Sequence, residues 1–204
     1  LIESAVISGR GQLRINGIAF PARWRFVHRA GKSYRHYIAL GFFGLPIMQV
    51  NEHYLEGHAR LQLPFGVEEG AAVDQGANLA LWAEAVWYPA IWATHPDVRW
   101  EPIDEETALL IVPYGEEEQR FVARFDPDSG LLRMLESMRY EGVDAQEKTL
   151  WINEVSVWGS YDGWRVPTMG EITWFGDGAP WATFVVEELV YNADVRDYVR
   201  AEGP

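Results

Sequence analysis

QGANLALWAEAVWYPAIWAT, residues 75–94, has the strongest helical pattern in a chain whose other segments resemble strands. This predicted helix is apolar on nearly every side and carries one charge, Glu84. Such a helix must be covered on both faces. In a mostly antiparallel protein a curved sheet supplies that cover, and an apolar ligand would lie between sheet and helix. Asp74, directly before this segment, is expected to cap the helix N-terminus. Pro89 lacks an N–H, so we expect it to kink or restart the helix.

The segments on either side of this helix alternate polar and apolar residues, as strands with one buried face do. Before the helix we predict strands over residues 8–15, 19–28, 33–41 and 47–63, the last broken near Gly57. After the helix we predict strands over residues 98–103, 107–112, 119–125, 131–140, 148–161, 164–175 and 181–190. No linker or repeat divides the chain, which is therefore expected to form one domain over residues 1–204. The predicted fold is mainly β: a single strongly curved antiparallel sheet, or half-barrel, wrapped around one aromatic-rich α-helix.

Composition limits the kinds of site that the chain can build. Its 204 residues include ten Trp, which predicts a large aromatic core, and no Cys, which excludes disulfides and thiolate metal sites. No apolar run approaches the roughly 20 residues that span a bilayer. Because the chain begins at Leu1 rather than Met, we expect it to come from a longer precursor. A cytoplasmic and an exported location both remain open.

Charge is distributed unevenly along the chain. The net charge of −13 argues against nucleic-acid binding, since phosphates are bound by basic faces. Residues 1–51 nevertheless hold seven of the 17 basic residues and one of the 30 acidic residues. These basic strands are predicted to pair with acidic strands elsewhere in the sheet. Alternatively, Arg23, Arg25 and Arg35 form a basic rim that meets an anionic headgroup, which would allow contact with a membrane surface.

Glu84 is the candidate catalytic residue. Burial would raise the pKa of its carboxyl, and a raised pKa would suit it to general acid–base catalysis. The alternative is that Glu84 pairs with an arginine of the basic strands and ties the helix to the sheet. His28 and His36 straddle a turn and are expected to approach each other across a hairpin. Without a firm carboxylate partner in the sequence, they do not predict a metal site. No nucleophile elbow, phosphate loop, dinucleotide fingerprint or His-Glu-x-x-His motif is present, and no cofactor is predicted.

Four segments carry a resemblance to a known family: GLPIMQVNEHYLEGHARLQLPFG (44–66), QGANLALWAEAVWYPAIW (75–92), VRWEPIDEETA (98–108) and GWRVPTMGEITW (163–174). In this order they resemble a bacterial family known as a domain of unknown function, whose most specific motif is a Gln-Gly helix opening followed by Ala-Glu-x-x-Trp-x-Pro. The family is distantly similar to the lipoprotein-carrier fold of the LolA and LppX type. That resemblance implies a half-barrel around a helix with an apolar cavity, and it implies no catalytic residues.

These observations predict a protein that binds or carries a hydrophobic small molecule, acyl chain or lipid. The residues expected to line or gate the cavity are Trp82, Val86, Trp87, Tyr88, Trp92 and Trp24, with Arg23, Arg25 and Arg35 at its mouth. One alternative is an enzyme that acts on an apolar substrate in the same cavity, with Glu84 as general acid or base. Another is a structural protein whose interior is filled by its own tryptophans. The oligomeric state is left open.

Overall fold

The computed structural model describes residues 1–42 and 45–201, which form thirteen strands, one helical segment over residues 71–94 and a 3₁₀ turn at Tyr198–Arg200. The strands before the helical segment are β1 (Ser4–Ile15), β2 (Ile18–Arg29), β3 (Ser33–Phe42), β4 (Leu45–Leu55), β5 (His58–Leu63) and β6 (Gly66–Glu68). Those after it are β7 (Arg99–Pro102), β8 (Thr107–Tyr114), β9 (Glu117–Phe125), β10 (Leu132–Tyr140), β11 (Lys148–Tyr161), β12 (Trp164–Trp174) and β13 (Ala182–Tyr191). Residues 43, 44 and 202–204 of the predicted domain lie outside the described ranges.

All thirteen strands belong to one antiparallel sheet in the order β6-β5-β4-β3-β2-β1-β13-β12-β11-β10-β9-β8-β7. The sheet is open and curled, so the predicted half-barrel is confirmed. Its two edges, β6 and β7, are the strands on either side of the helical segment in sequence. The chain therefore leaves one edge, crosses the sheet as a helix and enters again at the opposite edge. Pairing of β1 with β13 joins the two halves.

The helical segment begins earlier than its apolar pattern predicts and is divided as Pro89 predicts. Helix α1 (Ala71–Ala83) continues into a 3₁₀ turn (Glu84–Trp87), and a short helix α2 (Ile91–Thr94) follows Pro89. The 3₁₀ turn ends at Tyr88, whose φ of −143° and ψ of 58° are not helical, and Pro89 lacks the N–H that would continue the helix. Among the described residues, no helix is long and apolar enough to cross a membrane.

The turn between β4 and β5 and the position of Asp74 can each be compared with the sequence-based predictions. The predicted break near Gly57 is confirmed, because Glu56 and Gly57 have φ of 54° and 88° and form the turn between β4 and β5. Asp74, which the residue pattern favours as the helix N-cap, instead lies inside α1, and Gly70 precedes the first turn. The Asp74 carboxylate accepts a hydrogen bond of 2.6 Å from the Ala59 backbone N–H and so ties α1 to β5.

The core lies between the helical segment and the face of the sheet that curls around it. Trp82 and Tyr88 are each 1% exposed, and Phe121, Ile7 and Leu110 beneath them are fully buried. Helix α1 contacts β4, β5, β8 and β10, which come from both halves of the sheet. The strongly apolar helix is therefore covered on several sides, as its composition requires. A smaller cluster packs Val27 of β2 against Val195 and Val199 of the segment that follows β13.

An arginine side chain passes close to the helix backbone at Gly76 of the Gln-Gly motif. A Cβ at residue 76 would lie 2.7 Å from Nε of Arg139, which is too close for a nonbonded contact. The Arg139 guanidinium continues over the ring of Trp151, 4.5 Å from its centroid, where the negative face of the indole attracts it. Glycine at this position therefore lets a cation from β10 pass between the helix and the sheet.

Candidate functional site

The hairpin of β2 and β3 brings two histidines to the sheet face beneath the helical segment. His36 is the cross-strand partner of Phe26 on β2 and of Glu52 on β4, and His28 is the partner of Tyr34. Side chains two residues apart on a strand share a face, so all of these residues point toward the helix. The imidazole centroids of His28 and His36 lie 5.8 Å apart, which confirms the predicted approach across the hairpin.

Glu84, at the start of the 3₁₀ turn, places its carboxylate between the two imidazoles. Its Oε2 lies 2.8 Å from Nε2 of His36, a hydrogen bond, and 2.9 Å from Nε2 of His28 without the angular geometry of one. On the other side of His36, Nδ1 lies 3.4 Å from Oε2 of Glu52, and Tyr34 donates to Glu52 at 2.8 Å. We call His28, His36, Glu84 and Glu52 the His–Glu cluster. Neither close partner of Glu84 is an arginine, so the predicted arginine pair is replaced by two imidazoles.

The charges of the His–Glu cluster follow from burial and mutual attraction. Burial by itself lowers the pKa of His36, but the charges of Glu84 and Glu52 and the hydrogen bonds to them raise this pKa to about 9. Burial raises the pKa of Glu84, and the charge of His36 together with both imidazole contacts outweighs it and lowers the pKa to about 2. Burial dominates at His28 and lowers its pKa. Near neutral pH, His36 is therefore a cation between two carboxylates, and His28 is neutral.

This arrangement predicts how stability depends on pH. The folded-state pKa of His36 is above its ordinary value of 6.5, so its contribution is complete below pH 6.5 and is lost as the pH rises through about 9. At about 1.4 kcal/mol per pKa unit, we expect the free energy of unfolding to fall by about 3 kcal/mol between these limits. The His36→Gln variant cannot take up the proton and should lack this decline. Urea denaturation in EDTA-containing buffer from pH 6 to pH 10 measures both proteins, and equal slopes would contradict the assignment.

A cavity lies between the 3₁₀ turn and strands β10–β13. Its wall is mainly apolar and includes Val86 and Trp87 from the turn and Leu135, Val155 and Phe184 from the strands. The volume of the cavity is about 70 Å³. The cavity is thus a narrow slot rather than a wide chamber. Glu84 also lies in its wall, and the cavity and the His–Glu cluster are therefore adjacent.

The six aromatic and aliphatic residues predicted to line or gate a cavity have two kinds of environment. Val86 and Trp87 lie in the cavity wall. The remaining four are buried in the core and do not line this cavity, and they are Trp82, Tyr88, Trp92 and Trp24. The apolar pattern of the segment marks burial, and it does not distinguish a residue that faces a cavity from one that faces another side chain.

The three arginines predicted at the cavity mouth also differ from one another. Arg23 is exposed and forms an ion pair of 2.5 Å with Glu187 on β13, which agrees with pairing between basic and acidic strands. Arg25 is exposed as well. Arg35 is 2% exposed, donates to the Tyr198 carbonyl and stacks over the Tyr198 ring at 4.6 Å. None of the three lines the cavity described above.

Glu52, a member of the His–Glu cluster, and Tyr34, which donates to it, are missing from the sequence-based site prediction. Glu52 is one of many acidic residues in an alternating strand, and no local motif distinguishes it. The useful signal was the strand register, because a hairpin alignment of β3 with β4 sets Glu52 opposite His36. Glu84 is 48 residues from His36 in sequence, so only the crossing of the helical segment brings their side chains together.

Comparisons with known proteins agree with this architecture. The model of a family of unknown function, DUF6544, matches residues 1–184. No curated protein matches the chain. A LolA superfamily protein from Nitrosomonas europaea is similar in structure, with a TM-score of 0.56, 10% identity, and coverage of 98% of this chain and 89% of the other.

Two further solved structures have the same fold. One is described as an outer membrane lipoprotein-sorting protein domain from Vibrio parahaemolyticus, with a TM-score of 0.54, 9% identity, and coverage of 97% of this chain and 92% of the other. The second is a DUF1329 family protein from Desulfovibrio piger, with a TM-score of 0.54, 11% identity, and coverage of 98% and 90%. These similarities confirm the predicted LolA-like half-barrel.

Proposed function

This chain belongs to DUF6544, a family of unknown function, and from its LolA-like fold and apolar slot we propose that it binds or carries a hydrophobic small molecule, acyl chain or lipid. The observation that carries the proposal is the cavity between the 3₁₀ turn and β10–β13, whose wall is mainly apolar. Ligand sites in proteins are commonly concave, apolar and supplied with a few polar groups. Here Glu84 is such a group at the wall.

The narrow slot suits a single chain of carbon atoms. Removal of about 300 Å² of apolar ligand surface from water contributes about 8 kcal/mol at 25 cal/mol per Å², the scale of micromolar binding before the cost of immobilising the ligand. The 3₁₀ turn forms one side of the slot through Val86 and Trp87. The Trp87 indole donates to the Pro167 carbonyl at 3.2 Å, and the Trp87 carbonyl accepts from Tyr191 at 2.6 Å. These two hydrogen bonds hold the turn against β12 and β13.

The structural neighbours support the same class of ligand. One of them is described as a lipoprotein-sorting protein domain, and another belongs to the LolA superfamily. The enzyme alternative has one observation in its favour, the position of Glu84 in the cavity wall. It also requires a Glu84 without a basic partner, whereas two imidazoles lie within 3 Å of its carboxylate. Binding is therefore the better supported function.

The proposal is tested on the purified protein in two ways. Organic extraction followed by lipid mass spectrometry should recover an apolar molecule, and a fluorescent fatty acid should bind and be displaced by unlabelled fatty acid. Repeated extraction of nothing apolar, together with no binding of the fluorescent fatty acid, would overturn the proposal.

A substitution that fills the slot should weaken ligand binding. Val155 lies in the cavity wall, and Val157 on the same strand is 47% exposed and does not line the cavity. An indole at residue 155 takes the space that the ligand needs, so we expect Val155→Trp to weaken binding of the fluorescent fatty acid at least about tenfold, equivalent to about 1.4 kcal/mol. Val157→Trp is the matched control and should bind as the wild type does. Equal affinity of both variants would place the ligand elsewhere.

A further inference from the structure

The His–Glu cluster contains three side chains whose donor atoms converge on one point. One nitrogen of His28, one nitrogen of His36 and one carboxylate oxygen of Glu84 all lie within 4.8 Å of one another. The Glu84 Oε2 atom is 2.9 Å and 2.8 Å from the two imidazole nitrogens. Ligand atoms at about 2.0–2.1 Å from a tetrahedral zinc are about 3.3 Å apart, so Glu84 must move about half an ångström away from each imidazole, and the two imidazole nitrogens must lie at about the same distance from each other, to admit the ion.

The environment of these residues also points to a ligand. His28 is completely buried, and among the described residues its Nδ1 has no hydrogen-bond partner, while its Nε2 lies 2.9 Å from the Glu84 carboxylate without the angles of a hydrogen bond. The hydroxyl of Tyr88, whose ring lies 5.5 Å from that of His28, is buried and lacks a partner in the same described ranges. A buried polar atom without a partner destabilises the folded protein, so these atoms favour a bound group that supplies the missing partner.

Glu52 and Tyr34 provide the support that a metal-binding histidine requires. A ligating imidazole commonly donates its second N–H to a carboxylate, which fixes the ring and its tautomer. Nδ1 of His36 lies 3.4 Å from Glu52, which leaves Nε2 directed at the centre of the cluster. Tyr34 in turn donates to Glu52 at 2.8 Å and holds that carboxylate in place.

We propose that His28, His36 and Glu84 bind one divalent transition-metal ion of the zinc type through two imidazole nitrogens and one carboxylate oxygen. Two histidines and a glutamate form one of the ligand sets of zinc sites that keep a fourth position open. Because Glu84 is also part of the cavity wall, ions enter through the slot, and the open position takes water or an oxygen of a bound molecule. Imidazole ligands favour zinc, copper, nickel or iron over calcium and magnesium, which prefer oxygen ligands.

The test uses Co²⁺ as a spectroscopic probe on the full chain after removal of metals with a chelator. The wild type should bind one Co²⁺ per chain with visible d–d bands of tetrahedral intensity, and Zn²⁺ should abolish these bands. His28→Gln should remove the bands, and the positioning variant Glu52→Gln should bind about 10- to 100-fold more weakly. His58→Gln is the matched control, because His58 is 85% exposed beside Asp74 and lies outside the cluster.

A measurement without variants keeps the test independent of their folding. Zinc X-ray absorption of the zinc-loaded wild type should show two imidazoles and one or two oxygen ligands at about 2.0–2.2 Å. Circular dichroism of each variant reports whether it is folded. A wild type that binds neither Co²⁺ nor Zn²⁺, an absorption spectrum without imidazole ligands, or a folded His28→Gln variant with unchanged bands would each overturn the proposal.

Discussion

Gly9→Ala is expected to lower the free energy of unfolding by about 3 kcal/mol, at the upper end of the usual cost of forcing an extra methyl group into a packed site. A Cβ at residue 9 would lie 2.0 Å from the Val185 carbonyl oxygen on β13, a backbone atom that cannot turn away. A Cβ at residue 11 would likewise lie 2.0 Å from the Thr183 carbonyl oxygen. The glycines therefore allow close approach of β1 and β13, the pair that joins the two halves of the sheet.

Gly66→Ala is the matched control for this prediction. Gly66 also lies in a strand of the sheet, but a Cβ there meets nothing within 4 Å. We expect its effect on the free energy of unfolding to stay within about 0.5 kcal/mol of zero, as at most surface positions. Urea denaturation followed by tryptophan fluorescence compares the two variants with the wild type. A similar midpoint for Gly9→Ala and Gly66→Ala would show that β1 and β13 are not held as closely as the structure has them.

Trp82→Ala should be the most destabilising single change in the helical segment, at about 3–5 kcal/mol, the usual cost of deleting a buried large aromatic side chain. Trp82 is 1% exposed, and its ring packs edge-on against His95 at 5.2 Å. Its carbonyl accepts the indole N–H of Trp92 at 3.0 Å, a contact that joins α1 to α2. Loss of the ring leaves a cavity between these two helices and the sheet.

Trp164→Ala is the control for Trp82→Ala, because Trp164 is 64% exposed and its removal leaves no buried cavity. Thermal unfolding by circular dichroism should show a large decrease in the melting temperature for Trp82→Ala and little change for Trp164→Ala. Trp82 does not line the slot, so folded Trp82→Ala protein at low temperature should still bind the fluorescent fatty acid. Comparable melting temperatures for the two variants would contradict the central packing role of Trp82.

Local patterns in the sequence predict most of the secondary structure. Alternation predicts every strand except the short β6, and the observed bounds differ by a few residues, with residues 148–161 predicted exactly as β11. The proline predicts the division of the helical segment, because its ring geometry acts within one helical turn. Asp74 is the counterexample. An acidic residue before an apolar run is typical of an N-cap, and Asp74 instead binds the backbone of β5.

Contacts between distant segments could not be predicted in the same way. Glu84 is recognisable as the one charge in its segment, but whether arginines, imidazoles or solvent surround it depends on how the helix crosses the sheet. Likewise Val86 and Trp87 face the slot while Trp82 faces the core, although all three satisfy the same helical pattern. A one-dimensional pattern records that a residue is buried and does not record what buries it.

From its sequence alone this protein is identifiable as a mainly β half-barrel around one aromatic helix, because periodicity, turn residues and proline act over a few neighbouring positions. Only the tertiary structure determined the pairing of β1 with β13, the narrow slot, and the contact of His28 and His36 with Glu84. These features require β6 and β7 to lie at opposite edges of the sheet, so that the helix must cross it and carry a carboxylate to two histidines. Their common physical basis is the packing of segments far apart in sequence, which no local pattern specifies.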